Sequence, residues 1–339
     1  PMKVQALSLA KTYDGLYRTT GKFIGGAQWH PFDHQRGYHP DPYWGGIYDA
    51  FRQPKYAYHM FRSQTAHDLD HPVAESGPMV YIMHEMSQFS EPDVVVFSNC
   101  DSVRLSVYDG ARSWTLPVKH EAGHMPSAPV VFKDVWDFWE ARDYSYTKKN
   151  WQAVNMVAEG IVDGKVVATQ RKMPSRRSTK LRLYTDWEGK PLVADGSDFI
   201  VVVAEVTDDN GNVRRLAKEN IVFTVEGEGE IIGDASIHAN PRPVEWGSAP
   251  VLIRSTRTPG KIRISARVEF PGTHAPTPAE IEIESVPAPF KAVYRDERQI
   301  GQISGANRVN TAGSALSDDE KRRILEEVDL QQQEFGIQK

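Results

Sequence analysis

From Met79 to about residue 288 the apolar residues fall into short runs, many of period two, broken at short intervals by turn dipeptides, and this most restricts what the chain can become. MVYIM, DVVVFSN, SVRLSVYDG and AVNMVAEGIVDGKVVATQ come first, with Asp109-Gly110 and Asp163-Gly164 as hairpin signals. LRLYTD, DFIVVVAEVTDDNGNVRRL, IVFTVEGEGEIIG, PVLIRSTRTPGKIRISARVEF and IEIESV follow, with turns at Asn210-Gly211 and Pro259-Gly260. Runs this short, with this spacing, bury their apolar side chains only as strands of packed sheets. Two units result, 67–176 and 177–288, and seven or so strands apiece is the pattern of an immunoglobulin-like β-sandwich. Glu226-Gly-Glu-Gly-Glu230 sits between strands without the ligand spacing of a calcium loop, and is expected to be a hairpin bend.

The first 66 residues have a different texture. Val4, Leu7, Leu9, Ala10, Tyr13, Leu16 and Tyr17 recur at helical spacing. Phe23 to Trp29 reads as a buried strand, an irregular loop runs from His30 to Gly46, and Tyr48 to Phe61 reads as a second helix with Pro54 in its first turn. Helix, strand, loop, helix is the order of an α/β unit. At the other end, 289–339 forms a tail in which Ser317 to Glu320 is a capping box opening a helix with Ile324, Leu325, Val328 and Phe335 on one face. The expected fold is therefore mainly β: two sandwiches preceded by an α/β unit and followed by a helical tail.

Candidate chemistry concentrates between Gln28 and Phe61, where aromatics, histidines, glycines and prolines crowd together. Flat aromatic faces hold pyranose rings because the axial C–H groups of a sugar meet the negative π-face. Trp29, Tyr43 and Trp44 are candidates for such faces, and Gln28, His30, Asp33, His34, Arg36 and His39 could bond hydroxyls. Gly25-Gly26 would let backbone approach closely. Pro31 and Pro40 break the spacing that would gather His30, His34 and His39 on a metal, and HExxH is absent, so no metal or other cofactor is expected. Without GxSxG, a serine hydrolase lacks its nucleophile turn. A net charge of -5 spread along the chain gives no footprint for nucleic acid, and no apolar run is long enough to span a bilayer. Cys100, the sole cysteine, excludes an intrachain disulfide.

The stretch GGAQWHPFDHQRGYHPDPYWGGIYDAFRQPKYAYHMFRSQ resembles the segment that closes the catalytic barrel in glycoside hydrolase family 2, the β-galactosidase and β-glucuronidase group. The family phrase G-(I/L)-x-D, then P-K-x-(A/S)-Y, then Q, reads here as Gly46-Ile47-Tyr48-Asp49, Pro54-Lys55-Tyr56-Ala57-Tyr58 and Gln64. DVVVFSNCDSVRLSVYDG resembles the strand pair of the sandwich after the barrel, and LVADGSDFIVVVAEVTDDNGN with IVFTVEGEGEIIG resembles an appended sandwich of many bacterial members.

The resemblance implies that residues 1–66 end a TIM (β/α)8 barrel, and that the parent enzyme is a retaining, exo-acting β-glycosidase of polysaccharide-degrading bacteria, β-galactosidase-like, in the periplasm or secreted. It implies that Trp29 walls the subsite of the cleaved sugar, that His30 and Asp33 contact its hydroxyls, and that the His34 to Trp44 loop shapes the rim. Retaining enzymes use two carboxyls about 5 Å apart. In this family they are glutamates on the fourth and seventh barrel strands, so both are expected before Pro1 and no catalytic residue is assigned in this chain. Asp33, Asp41 and Asp49 are read as a sugar contact, a loop bond or a helix cap. One strand and two helices cannot close a barrel. An upstream part of the same enzyme is thus the expected partner beside the carbohydrate; failing that, the segment packs on the first sandwich. A homo-oligomer stays open. The competing reading is a non-catalytic carbohydrate-binding or scaffold module. Against it, the second sandwich has only scattered aromatics, Tyr184, Trp187, Phe199, Phe223, Trp246 and Phe270.

Overall fold

The computed structural model describes residues 2–19, 24–37, 42–72, 74–185 and 190–289. Phe23, His39, Asp41, Trp187 and the tail helix expected from Ser317 lie outside the described residues. The described chain is mainly β, with α-helices confined to its N-terminal segment and one connection.

The first pair of sheets uses β1 (Val80–Met83), β2 (Val94–Ser98), β3 (Ser102–Val107), β4 (Arg112–Pro117), β5 (Val130–Phe132), β6 (Met156–Val162) and β7 (Lys165–Lys172). They are ordered β1-β2-β5 and β4-β3-β6-β7. β3 turns Val103, Leu105 and Val107 inward and Arg104 and Ser106 outward, so its apolar face meets Ile82, Val94, Val96, Met156 and Ala158 in one core. Asp163-Gly164, with φ of 50° and 74°, joins β6 to β7 as a primed two-residue turn. The Asp163 N–H is held by the Asp101 carboxylate at 2.9 Å.

β2 is buried at all five positions, as a strand covered on both faces must be. Val94 and Val96 enter the core between the sheets. Val95 and Phe97 face the other way, onto α1 (Met2–Tyr17) and α2 (Tyr56–Arg62), where Ala6, Ala10, Ala57 and Met60 complete a second core with Met83. The N-terminal segment therefore buries one helical face on the first pair of sheets. Asp14 of α1 bonds His124 Nδ1 at 2.9 Å and accepts the Met125 N–H at 3.2 Å. After α2, Gln64 donates to the Ser127 carbonyl at 2.9 Å and accepts the Ser127 N–H at 3.0 Å. Asn99, 3% exposed, gathers the incoming linker by donating to the carbonyls of Thr65 and Gly77 and accepting the Met79 N–H.

Two expectations for this segment fail. The strand read over Phe23 to Trp29 is not formed: Ile24 to Trp29 have no ladder partner among the described residues, and a strand exists only by pairing. The second helix does not start near Tyr48. Tyr48 instead bridges to Phe32 and Pro54, since Pro54 disfavours helical backbone at Gln53, and Asp49 ties the turn by accepting the N–H groups of Phe51 and Gln53 at 2.8 Å each. Asp49 is thus a loop bond.

The second pair of sheets comprises β8 (Lys180–Thr185), β9 (Leu192–Ala194), β10 (Phe199–Thr207), β11 (Asn220–Gly227), β12 (Gly229–Ile231), β13 (Arg242–Pro243), β14 (Ser248–Ser255), β15 (Gly260–Val268) and β16 (Ala279–Pro287). The orders are β12-β14-β10-β8 and β13-β11-β15-β16-β9. Val202, Ala204, Val251 and Ile253 of one sheet face Ile221, Phe223, Ile262 and Ile264 of the other. The Glu226 to Glu230 stretch is not a hairpin bend. β11 and β12 belong to different sheets, and the chain crosses between them at Gly227, where φ is 91° and a Cβ would stand 2.2 Å from the Lys261 carbonyl oxygen.

Candidate functional site

The loop after α1 is shaped from inside. Asp33, 6% exposed, accepts the Gly46 N–H at 2.9 Å and pairs with Lys55 Nζ at 2.7 Å. Lys55 also donates to the Trp44 and Gly46 carbonyls, and Gln5 of α1 reaches the same two carbonyls at 3.2 and 3.0 Å. A Cβ on Gly46 would lie 2.3 Å from the Asp33 nitrogen. The close backbone approach therefore falls at Gly46; a Cβ at Gly25 would meet nothing, and one at Gly26 only the Leu16 side chain.

Expected as a hydroxyl contact, Asp33 is instead spent on Lys55 and Gly46 and acts as the loop's internal anchor. A bond to a charged group contributes about 1.5–3 kcal/mol, so in Asp33→Ala amide exchange at Gly46 is expected to quicken about tenfold or more. Unchanged exchange would mean that something else holds the loop.

Outside this anchor the rings gather. His30 lies 4.8 Å from Trp29, 4.0 Å from His34 and 5.2 Å from Tyr43, centre to centre. The Arg36 guanidinium stands 5.4 Å over Tyr43. Burial and the neighbouring His34 push the His30 pKa down, favouring the neutral ring. Its Nδ1 has no hydrogen-bond partner. Trp29 is 79% exposed, and Trp44 is also exposed. Tyr43, Trp44, Gly45 and Gln28 line one side of a 380 Å³ pocket, with Gln5, Ser8 and Leu9 of α1 on the other. That volume lies in the range of about 300–1,000 Å³ for small-molecule sites. Of the expected residues, Trp29, His30, His34, Arg36 and Tyr43 form one cluster, and Trp44 borders the pocket beside it.

Behind the loop a larger cleft of 1060 Å³ runs from Asp33 and Trp44 past Tyr56, Tyr81 and Glu85 to Trp246. Its polar centre was missed by sequence reasoning. Glu85 pairs with Lys172 Nζ at 2.8 Å, lies 3.8 Å from Arg215 Nε and accepts the Tyr56 hydroxyl. Burial opposes the charge on Glu85, but Lys172, Tyr56 and Arg215 together hold its pKa below the usual carboxylate range. Burial and the adjacent Glu85 push the Tyr56 and Tyr81 hydroxyls well above theirs. Glu85, Lys172, Arg215 and the Tyr56 hydroxyl each have a partner, so the centre joins α2, β7 and the 213–216 segment. Lys55 and Gln64 were legible as motif positions; Glu85 and Lys172 belong to no motif. Among the described residues no three His, Cys, Asp or Glu side chains come together as a metal site. No helix there is long and apolar enough to cross a membrane.

Residues 183–273 match the family model described as glycoside hydrolase family 2 C-terminal domain 5. A beta-galactosidase of Thermoanaerobacter pseudethanolicus is 32% identical over 229 residues, 66% of this chain and 28% of that protein. A beta-glucuronidase of Formosa agariphila is 26% identical over 234 residues, 66% of this chain and 20% of that protein. Among solved structures, a beta-glucuronidase from glycoside hydrolase family 2 aligns with a TM-score of 0.61 at 24% identity, over 86% of this chain and 28% of the other. A beta-glycosidase from Bacteroides vulgatus aligns at 0.56 and 21%, over 77% and 31%. These two likenesses are of fold. The chain spans less than a third of the length of each relative.

Proposed function

We propose, for this chain as a C-terminal portion of glycoside hydrolase family 2, that it serves a retaining, exo-acting β-glycosidase of the β-galactosidase kind, releasing terminal non-reducing β-linked sugars. The observation that carries this is the gathering of Trp29, His30, His34, Arg36 and Tyr43 into one exposed cluster beside the pocket bordered by Trp44. Trp29 offers an apolar face to a pyranose ring. The His30 Nδ1, which has no hydrogen-bond partner, suits its hydroxyls, and Tyr43, with the Arg36 guanidinium over it, and Trp44 form the rim. Asp33 acts through Lys55 and Gly46 as a positioning residue.

The two carboxyls of the retaining mechanism are supplied by an upstream part of the same polypeptide, which completes a TIM barrel begun outside this chain. The two pairs of sheets are then its immunoglobulin-like C-terminal domains, and the enzyme works in the bacterial periplasm or outside the cell on oligo- or polysaccharides. Hydrolysis of nitrophenyl β-galactoside by this chain and by the full-length gene product tests this. The full-length product is expected to be active and this chain inactive. Activity in this chain would place the carboxyls within it, and inactivity in both would favour a binding module.

A further inference from the structure

The connection after β5 carries an exposed aromatic ledge with no part in the site above. Asp137 caps a short helix, α3 (Phe138–Arg142), by accepting the Trp139 N–H, and a π-turn, Asp143–Thr147, continues it. Ala141 is buried, and Phe138 and Tyr144 pack partly on the first core, which fixes the inward face. Trp139 and Tyr146 stay outside, 67% and 76% exposed. Arg142 lies between them, its guanidinium 5.4 Å from the Trp139 ring centre and 5.8 Å from that of Tyr146. Arg142 stands three positions after Trp139 and four before Tyr146, the spacing that keeps side chains on one side of a helical segment.

We propose that Trp139, Arg142 and Tyr146 form a glycan-binding platform that takes the backbone of a neutral β-linked polysaccharide, separately from the pocket at Trp44. Two exposed rings around one guanidinium offer apolar faces interrupted by N–H donors. Successive pyranose units present the same combination of apolar C–H faces and hydroxyls. The surrounding charges point to a neutral ligand. Glu140 is paired with Arg112 at 2.5 Å, Asp143 with Lys148 at 3.5 Å, and Lys148 also sits 3.7 Å over Tyr144. Arg142 is then the one charge within the ledge itself, too little for a polyanion, whose binding draws on several cations. A stable protein interface would need about 800 Å² per side, far more than two rings supply, whereas a sugar chain needs no more than the rings themselves.

Native gels containing soluble β-galactan test the platform, with far-UV circular dichroism to check that each variant is folded. The unmodified chain is expected to be retarded, and Trp139→Ala to need about tenfold more galactan for the same retardation, the loss of one anchoring ring. Phe270→Ala, which removes an exposed ring of the second pair of sheets, is expected to be retarded like the unmodified chain. Retardation that Trp139→Ala leaves unchanged, or none in galactan, would overturn the proposal. So would a concentration-dependent mass that Trp139→Ala abolishes, since the ledge would then join two copies of the chain. None of these outcomes depends on hydrolysis, so the platform and the glycosidase can fail separately.

Discussion

Lys172→Met is expected to lower the free energy of unfolding by about 3–5 kcal/mol, the cost of stranding one partner of a buried ion pair. Lys172 and Glu85 are 20% and 16% exposed in their side chains and 2.8 Å apart. Without the ammonium, Glu85 keeps the Tyr56 hydroxyl and the more distant Arg215, too little to replace the hydration it has lost. At an m-value of about 3 kcal/mol/M the urea midpoint would fall by roughly 1 M or more. Glu85→Gln with Lys172→Met strands no carboxylate, so the double variant should lose less than the two single variants combined. A midpoint unmoved in Lys172→Met, or strictly additive losses, would show that the pair is not coupled.

Stability is also expected to decline steeply between about pH 6.5 and pH 4, through His59 of α2 and His84 after β1. Burial, with Lys172 nearby, brings the His59 pKa down to about 4 from 6.5. Burial likewise brings His84 to about 4, against the opposing bond to the Glu91 carbonyl. The geometry agrees for His84: its Nδ1 accepts the Met86 N–H at 3.1 Å, and protonation there would break that bond. His59 stacks flat on Tyr81 at 3.5 Å.

In that window the unfolded chain binds a proton at each ring and the folded chain does not. Stability therefore rises with pH by about 1.4 kcal/mol per pH unit per histidine. The contribution is complete above the unfolded value and is lost as pH falls to the folded one. Glu85, whose pKa is depressed, adds a further loss at lower pH, below the unfolded carboxylate range. Urea midpoints of His84→Gln across this range should show a shallower slope than the unmodified chain. An identical slope would exclude His84 as a source.

What the sequence conveyed follows the range of the interactions. The alternation in β3 and the Asp163-Gly164 turn are local, and both elements stand where the pattern put them. β2 was visible as an unbroken apolar run, although its second covering layer was not. Tyr48 to Phe61 misled because apolar spacing outweighed Pro54 and Asp49, two local signals for a turn. Phe23 to Trp29 misled because a strand needs a partner, and composition cannot supply one. In the site, the aromatic crowding was legible, but the use of Asp33 was not, since Lys55 reaches it from 22 positions away. Glu85 and Lys172, 87 positions apart, left no mark in any window of sequence.

The two-sided burial of β2 also orders assembly. Met83, Val95 and Phe97, which seat α1 and α2, are a surface only once β1 and β2 have paired. Contacts that bridge such long stretches of chain form late, because the chain must close on itself first. The seating of α1 on these sheets therefore waits for strands that follow it by some eighty residues.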